Sequence, residues 1–347
     1  MRQTIELVLP GVSPFLQPGY LGVDLFFVLS GFIISYNYSG RLGAWSLRSY
    51  SAFLWARLAR FYPVHVFCLA AMLALGAGGV ADRIKIGDPA RYSVEAFFES
   101  LLLVHSWAIP LAKSWNVPSW SISSEWFAYL LFPAFLALAS AAARLRLTVL
   151  YVGFLLALAA AVYVATDFPG TAAYGMVRVV VCFAIGCVLY QWFQARLWSG
   201  ARWDIIVPAA LLLTLVVYTL LRPFGVPLLV WVPLPLAAVV YGLAWERGTF
   251  GRWLRRPLMH YGGRLSYSLY MTHYVCILAV RSHFPTKLMA DADLAERIGA
   301  LAIECATILL AAVLTYHFIE EPCRRWMRRM KAPAMRRLAT ERDGTNG

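Results

Sequence analysis

The sequence contains little charge. Asp, Glu, Lys and Arg make up 14% of its 347 residues, whereas soluble domains average about 25%. Hydrophobic residues make up 61%, and apolar runs recur between Gly19 and Ile319. Each run is about 18 to 22 residues long, which is enough to cross a hydrocarbon core of roughly 30 Å. The pattern is not that of a soluble domain and predicts an all-α, polytopic membrane protein built as a helical bundle.

Acidic residues are especially scarce. The chain has 18 Asp and Glu residues against 31 Lys and Arg residues, which gives a formal net charge of +13. A chain this basic could bind nucleic acid. The basic residues lie, however, in short clusters between the apolar segments, where cytoplasmic loops collect Lys and Arg. We therefore expect a lipid bilayer around the chain and no nucleic-acid partner.

Cysteines are few and show no metal-ligand spacing. Five of the six fall within apolar runs, which favours small buried side chains over a disulfide framework or a metal site. The chain contains no P-loop, GxSxG elbow, HExxH or GxGxxG in a strand-turn-helix context, so the common nucleotide-binding and hydrolase folds are excluded. Its first 18 residues have no apolar stretch typical of a cleavable signal peptide.

Nine apolar segments are long enough to span the membrane: residues 19–38, 61–80, 126–143, 148–166, 175–194, 204–221, 228–246, 261–281 and 298–319. A tenth, 97–110, is shorter and contains Glu99 and His105. If it crossed the bilayer, the basic cluster from Arg41 to Arg60 would face away from all the others. We therefore predict nine crossings, with 97–110 re-entrant or peripheral, the N-terminus outside and the C-terminus in the cytoplasm.

The chain shows no internal repeat or linker, so we expect one membrane domain over residues 19–326. A short lead of residues 1–18 precedes it. The last residues, 327–347, are basic and polar and are predicted to form a disordered cytoplasmic tail.

Glu125 is an unexpected residue in the segment PSWSISSEWFAYLLFP. Ser121, Glu125 and Tyr129 share one helical face, and Trp120 suits the membrane interface. The acid, which we place at the outer edge of its span, could orient a base or bind a sugar. Alternatively, the serines and the acid could mark a helix start through N-capping. Spacing alone leaves both interpretations open.

Three further charged residues are candidates. Asp24 lies inside an apolar run, where a carboxylate costs roughly 2.5–3.5 kcal/mol, so it should face the protein interior or pair with an Arg. Gly31, two turns along the same face, leaves room for a close helix approach. Arg57 and Arg60 are spaced i, i+3 at the inner edge. They match phosphate geometry, although a charge pair that sets topology explains them equally well.

A stripe of polar residues follows in GGRLSYSLYMTHYVC, formed by Gly262, Ser266, Tyr270 and His273. His273 lies about 18 Å from the inner edge. A His at that depth is expected to be functional, with helix-to-helix hydrogen bonding as the alternative.

Two acids end the last apolar segment and precede a run of arginines. Glu320 with Arg324, and Glu321 with Arg325, are i, i+4 pairs. The spacing favours the same structural role for both acids.

Five segments together resemble the membrane-bound acyltransferase 3 family. They are GVDLFFVLSGF, the Arg57-x-x-Arg60-x-x-Pro63 segment, WSISSEWFAYLLFP, SYSLYMTH and YHFIEEPCRR, in that order. Each is loose alone, but five in order are specific, and they cover residues 19 to about 326. The resemblance implies a multi-pass enzyme of the bacterial inner membrane. Such an enzyme moves an acyl group, commonly acetyl, from the co-substrate acyl-CoA to a hydroxyl of a cell-surface or exported glycan, such as lipopolysaccharide or exopolysaccharide.

The resemblance also implies roles for the candidate residues. Arg57 and Arg60 would hold the CoA phosphates. The remaining candidates divide into a catalytic group (Glu125, Asp24, His273 and His105) and an acceptor-binding group (Trp120, Ser121, Tyr129 and Tyr270).

The sequence departs from the family at its start. Family members usually begin with a helix that carries an Arg and a His, and the His is regarded as the catalytic base. Nothing before Gly19 matches that helix, so the resemblance implies that it is missing here. Activity would then depend on a substitute base, with His105 and His273 as candidates.

Two other functions remain open on sequence alone. One is a proton-coupled transporter or flippase for a glycolipid or small solute, with Asp24 and Glu125 as a proton relay. The other is a silent partner of a second acyltransferase.

Overall fold

The protein is described by a computed structural model that covers residues 2–12, 17–40, 46–77, 92–107, 115–166, 175–221, 228–245, 248–284 and 292–330. All regular structure within these residues is helical, which confirms the all-α class. The helices are α1 (Arg2–Val8), α2 (Gly22–Tyr38), α3 (Leu47–Ala77), α4 (Val94–Leu101), α5 (Trp120–Leu130), α6 (Phe132–Arg144), α7 (Thr148–Thr166), α8 (Gly175–Gln194), α9 (Trp203–Leu221), α10 (Leu228–Trp231), α11 (Pro233–Ala244), α12 (Gly248–Leu254), α13 (Pro257–His283) and α14 (Leu294–Thr315).

Six helical segments among the described residues are long and apolar enough to cross a membrane, and α5 with α6 gives a seventh if the bent pair is one span. The protein is therefore a polytopic helical membrane protein. Each of the nine predicted spans overlaps a helix or a pair of consecutive helices in the described residues, but the count of nine is not confirmed. The reason is that α11 is short and α13 carries many hydroxyl and imidazole side chains.

Helix α3 is longer than predicted. It begins at Leu47 instead of near residue 61 and contains Pro63 in its interior. At 1.5 Å per residue its 31 residues extend about 46 Å, more than the bilayer core. Arg57 and Arg60 therefore lie well inside the helix and not at its start.

The segment predicted as one span over 126–143 is broken. Helices α5 and α6 meet at Leu131 with a bend of 63°. Pro133 lies in the first turn of α6, where its missing N–H is tolerated but where it cannot continue the preceding helix. The serine-rich stretch before residue 126 is itself helical, as the beginning of α5.

The described part of the segment 97–110 ends at Trp107. It contains the end of α4 and a series of turns in which His105 and Ser106 are fully buried. Irregular backbone is tolerated at membrane depth only when protein surrounds it. The fold is thus consistent with a re-entrant or peripheral segment, and residues 108–110 lie outside the described residues.

The N-terminal helix α1 packs against the last helix of the described chain. α1, within the predicted lead, contacts α14 through a hydrogen bond of 3.1 Å from Arg297 Nη1 to the Leu7 carbonyl. The helix that begins at Leu294 continues to Met330, so the first four residues of the predicted tail are helical. The rest of that tail, 331–347, lies outside the described residues.

Helices α2 and α8 pack closely against each other, with glycines at their contact. A Cβ atom on Gly31 would overlap the backbone carbonyl of Phe183, and one on Gly186 would overlap the carbonyl of Val28. The close approach predicted at Gly31 is therefore confirmed. Small residues allow two membrane helices to pack backbone against backbone, which helps to compensate for the absence of a hydrophobic drive between helices in lipid.

Substituting these glycines tests the helix contact. Gly31→Ala and Gly186→Ala are expected to lower stability by about 1–3 kcal/mol through overpacking, seen as lower thermal unfolding midpoints in detergent. Gly262→Ala on α13 is the control, because no atom lies within 4 Å of its added Cβ. Equal midpoints for all three variants would contradict the close contact.

Candidate active site

Glu125 lies at the contact between α2 and α5. Its side chain is buried, with 2% of its surface exposed. Oε1 accepts a hydrogen bond of 2.6 Å from Ser30 Oγ on α2 and a second from the Tyr129 hydroxyl, one turn further along α5. The hydroxyls of Ser30 and Tyr129 are themselves 3.1 Å apart. The carboxylate is thus held by neutral donors from two helices.

The N-capping interpretation of Glu125 is wrong. α5 begins at Trp120, and no acidic residue lies in its first turn. Glu125 contacts side chains and does not cap backbone N–H groups, while Tyr129 shares its face as predicted.

Arg57 and Arg60 lie beside this carboxylate. The positive charges of both attract Glu125. Arg57 Nη2 donates to the Tyr38 hydroxyl at 3.0 Å, and the guanidinium lies over the Tyr38 ring, 5.3 Å from its centroid. We predicted the arginines and Glu125 at opposite membrane edges. That separation is wrong, because α3 begins at Leu47 and places both arginines near its middle, where their charges act on Glu125.

Arg60 differs from Arg57 in its partners. Its side chain is exposed, and within the described part of the chain its guanidinium makes no hydrogen bond and no ion pair. Arg60 is therefore available to an anionic ligand next to Glu125.

Asp24 is paired with an arginine of α8. Its two carboxylate oxygens accept hydrogen bonds from Nε and Nη2 of Arg178, both at 2.8 Å, and both side chains are buried. The Arg178 guanidinium also lies over the rings of Tyr20 and Trp120, at 5.4 and 5.0 Å. Of the two interpretations that the sequence left open for Asp24, these contacts favour helix-to-helix pairing.

Ser121 and Tyr270 form a second polar contact, near the start of α5. Their hydroxyls are 3.0 Å apart, and the Tyr270 hydroxyl also donates to the Pro118 carbonyl at 3.1 Å. His273 Nδ1 lies 2.5 Å from the Tyr270 carbonyl oxygen on its own helix. Among the described residues, no contact joins His273 to Glu125.

His105 lies in the turns after α4, outside the membrane-spanning helices. Its Nε2 is 3.0 Å from Ser119 Oγ, and its ring stacks on His65 with centroids 6.3 Å apart. Burial, with a smaller effect of His65, lowers the pKa of His105 to about 3. It is therefore neutral at pH 7 and a weak base. No hydrogen bond or ion pair joins His105 to Glu125 in the described part of the chain.

Three residues of this site and its surroundings were not predicted from the sequence: Ser30, Tyr38 and Arg178. The partners of Ser30 and Tyr38 cannot be identified from one sequence, because many hydroxyls lie in the apolar runs. Arg178 was detectable as a single charge in the apolar run MVRVVV. No group of three His, Cys, Asp or Glu side chains in the described residues is placed to hold a metal ion.

Comparison with known proteins adds to this geometry. The model of the acyltransferase 3 family, described as an acyltransferase domain, matches residues 5–316. The acyltransferase MdmB of Streptomyces mycarofaciens is 28% identical over 349 aligned positions, which cover 91% of this chain and 84% of that protein. Protein 2 in the picA locus of Rhizobium radiobacter is 33% identical over 116 positions, covering 30% and 60% respectively. No solved structure matches.

The pairing of Asp24 can be tested by removing one charge or both. Asp24→Asn leaves Arg178 buried without a counter-charge, so we expect a loss of about 3–5 kcal/mol, measured as a lower thermal midpoint. The double variant Asp24→Leu/Arg178→Met removes both charges and is expected to recover most of that loss. A double variant no more stable than Asp24→Asn would contradict a structural role for the pair.

Proposed function

Because the chain belongs to the acyltransferase 3 family and is a membrane acyltransferase, we propose that its donor is a cytoplasmic acyl-CoA and its acceptor a hydroxyl of a cell-surface or exported glycan. In this proposal the acyl group is acetyl. The membrane is the bacterial inner membrane, and the arginines after Glu321 mark the cytoplasmic end of the last helix.

The guanidinium of Arg60, which forms no hydrogen bond or ion pair among the described residues, is the observation that carries the donor assignment. Coenzyme A brings several phosphate oxygens, and guanidinium groups bind phosphate through paired, charge-assisted hydrogen bonds. Arg57 is held by Tyr38, and Arg60 has no hydrogen-bonded partner among the described residues. The pair thus offers one fixed and one adaptable cation on the same helix.

Glu125 acts on the acceptor. Oε1 is occupied by Ser30 and Tyr129, whereas Oε2 accepts no hydrogen bond within the described residues. In the proposed reaction the acceptor hydroxyl donates to Oε2, its oxygen attacks the thioester carbonyl carbon, and CoA leaves as a thiolate. The proton lost by the hydroxyl returns to the thiolate, so the transfer is balanced. Tyr129 positions Glu125 in this scheme instead of touching the glycan.

The acceptor binds beside the start of α5. The paired hydroxyls of Ser121 and Tyr270 lie there, along with the ring of Trp120. Hydroxyls and an aromatic surface provide the directional polar groups and the apolar contact that small-ligand sites combine. Asp24 supports this wall through Arg178, which packs against the Trp120 ring.

Removing either cation tests the donor site. Arg57→Ala and Arg60→Ala are each expected to raise the Kd for acetyl-CoA by about tenfold, because each loses charge-assisted hydrogen bonds to phosphate. The measurement is equilibrium binding to the purified protein. Arg48→Ala is the control, since Arg48 is an exposed cation at the start of the same helix. Unchanged binding in all three variants would remove the donor assignment.

Glu125→Gln tests the transfer step. In membranes supplied with labelled acetyl-CoA, it is expected to lower the appearance of label on glycan by about 10²-fold or more, without weakening donor binding. Label on glycan in wild-type membranes supports acyl transfer. Movement of an unmodified solute without labelling would instead favour the transporter alternative.

A further inference from the structure

The last helix contains one turn of a different pitch. It runs over 37 residues, Leu294–Met330, and Tyr316–Glu320 within it form a π-helical turn. The backbone N–H of Glu321 donates to the carbonyl of Tyr316, five residues earlier. Such turns are rare in proteins, and many of those known lie at functional sites.

The π turn sets the direction of Glu320. A row of buried residues runs along this helix at intervals of four: Ala300, Glu304, Ile308, Ala312, Tyr316 and Glu320. Because an α turn holds 3.6 residues, such a row drifts around the helix by about 40° at each step. The π turn holds more residues and rotates the row back, so Glu320 points into the bundle.

The neighbouring acid points elsewhere. Glu320 is 2% exposed and accepts a hydrogen bond of 2.7 Å from Ser268 Oγ on α13. The side chain of Glu321 is 20% exposed and pairs with Arg324 and Arg325. The predicted i, i+4 pairs of Glu320 with Arg324 and of Glu321 with Arg325 are both present, at 3.9 and 2.6 Å. The two acids nevertheless point in different directions, because the π turn ends at Glu320.

Helix α13 brings Glu320 and Arg60 together. The Tyr267 hydroxyl donates to the backbone carbonyl of Phe61, the residue after Arg60, at 2.6 Å. The next residue on α13, Ser268, holds Glu320. Tyr267 and Ser268 are adjacent on α13. Tyr267 contacts α3 next to Arg60, and Ser268 contacts the π turn, so both elements pack against the same turn of α13.

Charges of opposite sign alternate across this contact, in the order Glu125, Arg60, Glu320 and Arg324. Arg60 attracts both carboxylates, and Glu320 also faces Arg324, whose Nη1 lies 3.9 Å from its Oε1. Arg60 and Arg324 are close enough to repel each other. The carboxylate of Glu320 offsets that repulsion.

We propose that Glu320 is a positioning residue for the acyl donor: it screens Arg60 from Arg324 and holds the Arg60 guanidinium where a CoA phosphate binds. This inference rests on the proposed function, because Arg60 is placed there as a donor ligand. Glu320 does not touch the reacting atoms and acts only through Arg60.

Neutralising one acid at a time provides the test. Glu320→Gln keeps the side-chain shape and is expected to weaken acetyl-CoA binding to the purified full-length chain by about tenfold, since coupled charges are lost. Glu321→Gln is the matched control, one residue away, and is expected to bind as the wild type does. Thermal midpoints are measured on every variant.

A second substitution separates charge balance from packing. Adding Arg324→Gln to Glu320→Gln removes the repulsion and is expected to restore most of the donor affinity, whereas a packing role would not be rescued in this way. Ser268→Ala leaves every charge in place but frees the Glu320 side chain. It is expected to weaken binding by a smaller factor, about threefold, and it carries the test if Glu320→Gln does not fold.

The inference is overturned if Glu320→Gln binds acetyl-CoA as well as the wild type, or if Arg324→Gln restores none of a lost affinity. If Glu320→Gln does not fold, the inference is overturned when Ser268→Ala binds acetyl-CoA as well as the wild type does. A wild-type protein that binds no acetyl-CoA would give a different result, because it would overturn the proposed function itself.

Discussion

The burial of Glu125 among three helices is the constraint on which the rest of the site depends. A carboxylate away from water is stable only with hydrogen-bond donors or positive charge nearby. Here α5 supplies the acid and Tyr129, α2 supplies Ser30, and α3 supplies two arginines. These contacts fix the orientation of the three helices relative to one another. They also place two cations beside the Glu125 carboxylate, the proposed partner of the acceptor hydroxyl.

The same requirement recurs at two other buried acids. Asp24 is paired with Arg178 between α2 and α8, and Glu320 is held by Ser268 between α13 and the last helix. Buried ion pairs add little stability by themselves, but breaking one is costly, so they favour a single helix arrangement. Arg60 is different because its neighbours attract it without forming a hydrogen bond in the described residues. That difference separates a structural charge from one available to a ligand.

Hydrophobic run length was sufficient to predict the all-α membrane bundle, since crossing a bilayer requires about 20 apolar residues. Run length did not predict the helix bounds in two places. The first turns of α3 contain charged residues and fall outside the apolar run, and Pro133 divides one apolar run into α5 and α6. Spacing along an ideal helix placed Glu125 and Tyr129 together correctly. It also predicted the pair of Glu320 with Arg324, but not the burial of Glu320 against Ser268, because the sequence does not show the π turn that changes the register there. Partners from distant segments, such as Ser30 and Arg178, depend on tertiary packing.

The most direct test of the account is a cryo-electron microscopy structure with a non-hydrolysable thioether analogue of acetyl-CoA. We predict phosphate density within hydrogen-bonding distance of Arg57 and Arg60, with the acyl carbonyl carbon in the space next to Glu125 Oε2. Analogue density on any other face of the bundle, with Arg60 still unoccupied, would contradict the account.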